Sequence, residues 1–342
     1  MPARLLLLYN QPVLPADHPD FASERDVLDT VEKIDAILRG GGFAVERFGV
    51  GLDLSPFIDR LKRQPPDAVF NLFEGFADRP VTETTIAGIL DWFGIPFTGN
   101  GVEALTLARD KLRTKYLLHG AGLPTAPFFS VDRLPCPPCR IDWPVIVKPT
   151  GQDASVGIEQ ASVATDQRAL EAQVAKVMDN YGSPVLVEKF IRGREFFLPL
   201  FEEYWPDRNR RELRTLPPSE ILFNDPSLWP IYSYAAKWTE SSPEFGATPE
   251  QLAVDVPAGL ADRLARIARQ VYQTLGCRDY ARVDFRVSND GDPFVLELNP
   301  NPYILSIGLL SGLEAMGKAH AEFVCGLARA ALRRGKAAGG EE

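Results

Sequence analysis

Histidine is scarce in this sequence. His18, His119 and His320 are the only three in 342 residues, and they are scattered. That scarcity argues against imidazole-based metal centres, and with no GxSxG turn it also argues against a serine–histidine–aspartate triad. Cysteine is nearly as rare. Of four, only Cys136 and Cys139 are close, in the proline-braced stretch RLPCPPCRIDWP. A zinc site needs a second pair or nearby histidines, and a redox motif needs a strand-to-helix context. Neither is present, so CPPC reads as a rigid loop. No apolar run approaches the ~20 residues that span a bilayer. The start, MPARLLLLYNQP, has one charge and a short apolar run, and reads as a first strand and not a signal peptide. Cytoplasmic residence is the resulting expectation. Basic residues are outnumbered, 37 Lys and Arg against 46 Asp and Glu, giving a net charge of −9. This excludes a broad nucleic-acid surface. The one basic cluster, Arg208 to Arg214, is interrupted by Glu212 and Leu213 and reads as a solvated loop. No internal repeat or low-complexity tract is visible. Chemistry is left to lysine, arginine, carboxylates and backbone dipoles.

A chain of this length exceeds one small core and is expected to hold two or three domains. ARLLLLY reads as a buried strand. A helix is expected from Ser23 to Arg39, with Ser23 and Asp26 as a capping pair and Val27, Val31, Ile34 and Leu38 as its apolar stripe. Gly40-Gly41-Gly42 stops it. A strand (FAVERF), a helix around Phe57 to Lys62, a strand at Asp67 to Leu72 and a helix from about Glu83 to Phe93 follow. Strands alternating with helices imply a parallel sheet in residues 1–101, whose ligands gather at the carboxyl ends of strands, after Leu8 and after Leu72. A second unit, 102–190, holds a helix over Asp110 to His119, the strand WPVIVKP, a helix near Gln167 to Asn180 and a strand VLVEKF. The third, 191–335, holds a mixed sheet and amphipathic helices near Leu260 to Leu275 and Ala319 to Leu332. Residues 217–245 form a long Pro-, Ser- and Tyr-rich segment of the kind that serves as a lid.

The stretch RVDFRVSNDGDPFVLELN, from Arg282 to Asn299, reads as a hairpin with Asp290-Gly291 at a tight turn. That register sets Val283, Phe285 and Val287 opposite Leu298, Leu296 and Phe294, all apolar. The other face pairs Asp284 with Glu297 and Arg282 with Asn299. Directly opposite carboxylates repel unless a positive charge lies between them. Asp284, Glu297 and Asn299 are hard oxygen donors of the kind that suit Mg²⁺. Upstream, VIVKPTGQDASVG ends a strand on Lys148 and continues into a loop with Gly151, Ser155 and Gly157, small enough for backbone N–H groups to approach a phosphate. The lysine precedes the loop and no GK[ST] follows, so this is no P-loop. Lys111, in DKLRTK, opens a helix. In VLVEKFIRGREF, Glu188-Lys189-Phe190-Ile191 offers backbone groups to a purine edge, and Glu195 is placed to accept from ribose hydroxyls. Taken singly, each of these also fits an ordinary strand end or a solvated helix.

The ordered combination TGNGVEALTLARDKLRTKYLLHGAGLPTAPF, WPVIVKPTGQDASVGI, VLVEKFIRGREF and RVDFRVSNDGDPFVLELNPNP resembles the ATP-grasp enzymes, specifically D-alanine–D-alanine ligases, from Ser23 to about Leu310. The resemblance implies a three-domain α/β (α+β overall) architecture, with an N-terminal parallel sheet and ATP between the central and C-terminal units. It implies that Lys111 and Lys148 contact phosphates, that Glu188, Lys189 and Ile191 surround adenine, and that Glu195 takes the ribose. Ser155 belongs to the phosphate loop. Asp284, Glu297 and Asn299 would hold two Mg²⁺ ions, with Mn²⁺ an alternative. Arg282 would stabilise an oxyanion, Lys237 (in YSYAAKW) would reach the γ-phosphate from the lid, and Glu24 (in SERDV) would receive an ammonium group. A homodimer through the N-terminal unit is a further implication.

Four substrate-pocket positions depart from the pattern. Glu74, in NLFEGF, stands where histidine is expected. Ala154 replaces the serine that links Glu24 to the lid, and Trp238 replaces its tyrosine partner. Tyr303 replaces a glycine, in NPNPYIL. ATP and metal residues are kept while amino-acid contacts change. The readings are therefore ligation of D-alanine for cell-wall (peptidoglycan) precursors, ligation of another amino acid or a natural-product precursor, or a non-catalytic nucleotide-binding protein.

Overall fold

A strand without polar alternation is stable only when both of its faces are covered. In the computed structural model, which describes residues 1–12, 21–76, 81–205 and 210–338, β1 (Arg4–Asn10) is the middle strand of a parallel sheet. Around it run α1 (Phe21–Gly40), β2 (Ala44–Val50), α2 (Ser55–Arg63), β3 (Ala68–Leu72) and α3 (Thr82–Trp92), with strand order β2-β1-β3. Leu5 and Leu7 pack with Val31, Ile34 and Leu38 of α1, while Leu6 and Leu8 pack on the other face with Phe57, Leu61, Ile86 and Leu90. All four leucines are at most 2% exposed, so the apolar run is explained by a helix layer on each side. The structure starts α1 at Phe21, so Ser23 and Asp26 fall within the helix and not at its start, and their side chains lie outside the described residues. The glycine stop is as expected: Gly42 takes φ +85°, and a Cβ on Gly41 would lie 2.4 Å from Cys325 Sγ.

The second sheet is antiparallel, in the order β4-β7-β5-β6. Its elements, in chain order, are α4 (Val102–Arg109), α5 (Lys111–Gly120), β4 (Phe128–Val131), β5 (Val145–Pro149), β6 (Val163–Ala164), α6 (Gln167–Tyr181) and β7 (Val185–Lys189). Two helices begin on aspartate caps: Asp110 accepts from the Arg113 amide and Asp166 from the Ala169 amide, satisfying N–H groups that a helix start leaves free. CPPC lies in the connection between β4 and β5, with Cys136 and Cys139 both free thiols.

The third sheet has six strands. It comprises β8 (Gly193–Trp205), β9 (Arg210–Thr215), β10 (Ser219–Ile221), β11 (Glu250–Leu252), β12 (Tyr280–Ser288) and β13 (Pro293–Asn299), with α7 (Tyr234–Trp238), α8 (Pro243–Ala247), α9 (Ala258–Thr274), α10 (Ile307–Ala315) and α11 (His320–Ala338). Its order is β11-β10-β8-β12-β13, with β9 also on β8. Two sequence expectations change here. The basic cluster is not a loop from Arg210 onward, because β9 pairs with β8 and Arg211 and Arg214 reach Glu202 and Glu203 on the facing strand. The segment 217–245 is not a continuous loop, since it contributes β10 to the sheet and holds α7 and most of α8. Among the described residues no helix is long and apolar enough to cross a membrane.

The β12–β13 hairpin follows the expected register only at its far end. Arg282 faces Asn299, Val283 faces Leu298 and Asp284 faces Glu297, but Phe285 then faces Val295 and Val287 faces Pro293. Two irregularities cause this. The Gly291 amide donates to Ser288 O and the Ser288 amide donates to Asp292 O, with Gly291 at φ +85°. That is a three-residue turn closed by a left-handed residue, and not a two-residue turn. A bulge after Asp284 then places Leu296 and Glu297 both in the cleft described below, and restores the register.

Gly193 begins β8 at φ +145°, and a Cβ there would stand 1.9 Å from the Val287 carbonyl oxygen. That oxygen belongs to the β8–β12 ladder and cannot retreat alone. Gly193→Ala is expected to cost about 3 kcal/mol or more, read as a shift of the urea midpoint at unchanged m-value.

Candidate active site

Between the second and third sheets lies a cleft of about 830 Å³, counting its open mouth. Its polar residues include Lys111, Lys148, Ser155, Glu188, Lys189, Glu195, Lys237, Asp284 and Glu297, so most of the sequence-predicted site residues share one cavity, with Ile191 beside them. One wall is apolar: Ile146 and Phe190 pack with Ile158 and Ile231. The sequence reading missed this wall, along with Tyr232, Phe197 and Arg286, all of which line the cleft. Only proximity across the sheets distinguishes such residues from ordinary core.

At the cationic end, Glu188 is 1% exposed and contacts Lys115 at 2.5 Å and Lys148 at 2.8 Å. Burial opposes its ionisation, but the two lysines outweigh burial and bring the carboxyl down to about 2. Its carboxylate is therefore committed to two cations, and Lys115, a residue the sequence reading passed over, is 2% exposed. Lys111 is the first residue of α5 and carries three acceptors: Gln152 O at 2.7 Å, Glu297 at 3.1 Å and Asp153 at 3.4 Å. Against burial, Lys111, Lys237 and Lys148 also hold the Glu297 carboxyl near 2.

On the adjoining strand, Arg282 grips Asp284 through both oxygens, Nε at 2.7 Å and a second nitrogen at 2.8 Å, and Asn299 donates to the same carboxylate at 3.0 Å. Burial raises the Asp284 carboxyl to about 6 despite the arginine. Arg282 also lies 4.2 Å from the Phe197 ring centroid. Lys237 lies 4.7 Å from the centroid of Tyr232, and burial depresses its basicity while Glu297 and Asp284 oppose that effect.

Asp284, Glu297 and Asn299 fit a hard cation by donor chemistry. Among the described residues no group of three or more His, Cys, Asp or Glu could enclose a metal. An ion there would need water or ligand oxygens to complete its shell, which is how Mg²⁺ is commonly held beside phosphates.

The loop after β5 closes over this end. Ala154 and Ser155 adopt φ 53° and 62°, a left-handed conformation that non-glycine residues seldom take. Contacts from the lid segment hold them: Ser155 Oγ donates to Tyr232 O at 2.7 Å, and the Trp238 indole donates to Ala154 O at 3.1 Å. Trp238 and Ala154 thus meet through a ring N–H and a backbone carbonyl, with no side-chain hydroxyl involved.

Among the described side chains, six expected residues lie outside the cleft lining: Arg282, Asn299, Ala154 and Trp238, described above, and Glu74 and Tyr303. Glu24 falls in α1, but its side chain is outside the described residues. Glu74 follows β3, where Asn10 joins the two predicted loops by accepting from the Glu74 amide at 3.0 Å and donating to Gly75 O at 2.6 Å. Glu74 is exposed, and the protein around it and the charge of Glu83 push its carboxyl up to about 7. Tyr303 bonds Thr30 of α1 at 3.0 Å through its hydroxyl. A network absent from the sequence reading runs from α3 to Asp153, a partner of the cleft-lining Lys111. Glu83 accepts from Asn301 at 2.9 Å and Arg109 at 3.0 Å, and Arg109 reaches Asp153 at 3.2 Å.

Glu188→Gln strands two lysines around a neutral amide in a buried site. The expected cost is about 3–5 kcal/mol, measured by chemical denaturation at neutral pH. Because the folded carboxyl sits near 2, below its ordinary 4.5, wild type keeps this contribution above the ordinary value and loses it as pH falls toward 2. The Gln variant is expected to show a flatter stability profile over that window.

The sequence model of the family described as D-ala D-ala ligase C-terminus matches residues 117–325. The D-alanine–D-alanine ligase of Bordetella avium is 31% identical over 88% of this chain and 89% of its own length. That of Gluconobacter oxydans is 31% identical over 92% and 97%. Among solved structures, a Bacillus anthracis D-alanine–D-alanine ligase complexed with ATP superposes with a TM-score of 0.72 at 21% identity, covering 98% of this chain and 99% of that one. D-alanyl-alanine synthetase A from Vibrio cholerae gives 0.71 at 19%, covering 97% and 98%. The fold is thus the ATP-grasp fold, and the chain belongs to the D-alanine–D-alanine ligase family.

Proposed function

We propose that this protein is an ATP-dependent carboxylate–amine ligase that joins two amino acids, with D-alanine as the first candidate for both. One observation carries the reading: Lys111, Lys148 and Lys237 surround a single cleft that also holds Asp284 and Glu297, with Arg282 clamped on Asp284. A carboxylate is a poor electrophile because oxide is a poor leaving group. Attack of a carboxylate oxygen on the γ-phosphorus of ATP releases ADP and leaves an acyl phosphate. An amine then attacks the acyl carbon, and phosphate departs with the C–O bond electrons. Charge accumulates on phosphate oxygens in the first step and on a tetrahedral oxyanion in the second, so fixed cations serve both.

In this scheme Lys111 and Lys148 bind phosphates under the Ser155 loop, Lys237 approaches the γ-phosphate from the lid, and Arg282 faces the oxyanion. Glu188, Lys189 and Ile191 border the purine, Glu195 the ribose, and Glu24 the first ammonium group. Asp284, Glu297 and Asn299 would hold Mg²⁺, which supplies neutralisation of phosphate charge when bound. The proposed units are 1–101, 102–190 and 191–335, with the nucleotide between the second and third. A cytoplasmic homodimer feeding peptidoglycan synthesis is the corresponding biological setting.

A second reading, an acceptor other than D-alanine, is supported by Tyr303 bonded to Thr30 and by an indole at Trp238 where the lid meets Ala154. Phosphate release with ATP, Mg²⁺ and single amino acids separates the two. D-alanine is expected to give the highest turnover, and a higher rate with another amino acid establishes the second reading. Arg282→Met is expected to lower kcat by roughly 10²–10³-fold with little change in KM for ATP, and full activity in that variant removes the proposed oxyanion role.

A further inference from the structure

Arg286 follows Asp284 by two residues on β12 and lines the cleft, yet it is only 3% exposed. A guanidinium removed from water is tolerated only when its N–H groups find acceptors. It has three, two from the start of β8 and one from the segment before Ile231. One nitrogen lies 3.2 Å from Glu195 Oε2, another donates to Gly193 O at 3.1 Å, and Nη2 also donates to Pro230 O in the lid segment. The rings of Phe223 and Phe190 lie 5.1 and 5.7 Å from the guanidinium carbon.

Glu195 is 7% exposed, and among the described residues Arg286 is the only ion-pair or hydrogen-bond partner of its side chain. A carboxylate with a single fixed partner takes its direction from that partner, and Glu195 is among the residues lining the cleft. Pro230 directly precedes Ile231 and Tyr232, both of which line the cleft. One guanidinium therefore touches the sugar-facing carboxylate, the start of β8 and the root of the lid.

We propose that Arg286 is a positioning residue for the nucleotide: it aims Glu195 at the 2′,3′-diol of a ribonucleoside triphosphate and ties the lid root to that same point. This rests on the reading of the cleft as an ATP site. Arg286 touches no reacting atom, so its effect falls on nucleotide binding and sugar preference.

The test compares ATP with 2′-deoxyATP in amino-acid-dependent phosphate release, with folding followed by circular dichroism. Wild type is expected to favour ATP by roughly 10-fold or more in kcat/KM, the scale of one hydrogen bond to a charged group. Arg286→Met is expected to raise KM for ATP about 10-fold, to reduce the preference to about 2-fold, and to leave kcat within about 3-fold. Arg286→Lys keeps the charge but loses the planar fork, and is expected to fall between the two. A folded Met variant that retains the wild-type preference overturns the proposal, as does wild type that turns over both nucleotides equally. If the Met variant does not fold, the Lys variant decides: a reduced preference supports the role and an unchanged one overturns it. Wild type with no ATP-dependent turnover overturns the ligase reading instead.

Discussion

Two carboxylates face each other across adjoining strands, and the site depends on what keeps them there. Asp284 and Glu297 are directly paired in the β12–β13 ladder, where like charges destabilise a sheet. Each is offset by its own cation, Arg282 on Asp284 and Lys111 on Glu297. Lys111 comes from α5, so the acidic platform on the third sheet is completed by a residue of another part of the chain. The same solution recurs at Glu188, buried between Lys115 and Lys148. Charge neutralisation across elements sets the geometry of this end of the cleft, and the cations that hold the acids in place are the groups available to a phosphate.

The cleft has a second organising principle at its apolar end. Phe190, Ile146 and Ile231 form a small hydrophobic cluster of their own, apart from the larger cores that stabilise the sheets. The lid contributes to it directly through Ile231. The segment around Ile231 therefore buries apolar surface and satisfies polar groups together, with Ser155 bonding Tyr232 O and Trp238 bonding Ala154 O. The left-handed backbone at Ala154 and Ser155 is a local cost offset by these contacts.

Much of the fold was legible because it follows from period and punctuation. Val31, Ile34 and Leu38 marked the inner face of α1, and the leucine run marked a buried strand. The charged motifs were legible because lysines and carboxylates recur at strand ends in a recognisable order. Less legible were residues whose role depends on a distant partner. Lys115 looks like any helix lysine until Glu188 is seen beside it. Arg286 looks like an outward-facing strand residue until Gly193, Glu195 and Pro230 surround it. Arg109 gains meaning only from Glu83 and Asp153.

The hairpin shows where the division falls. Local sequence determined that two strands would pair around Asp290-Gly291 and that Asp284 would meet Glu297, because alternation along a pleated strand dictates which residues share a face. It did not determine the path between. A three-residue turn shifts the pairing by one, and a bulge at Leu296 shifts it back, so the expected partners of Phe285 and Val287 were wrong while those of Arg282, Val283 and Asp284 were right. Tertiary packing decided this: Val295 and Leu298 enter the core against α9 while Leu296 and Glu297 both line the cleft, an arrangement that strict alternation forbids and one inserted residue permits.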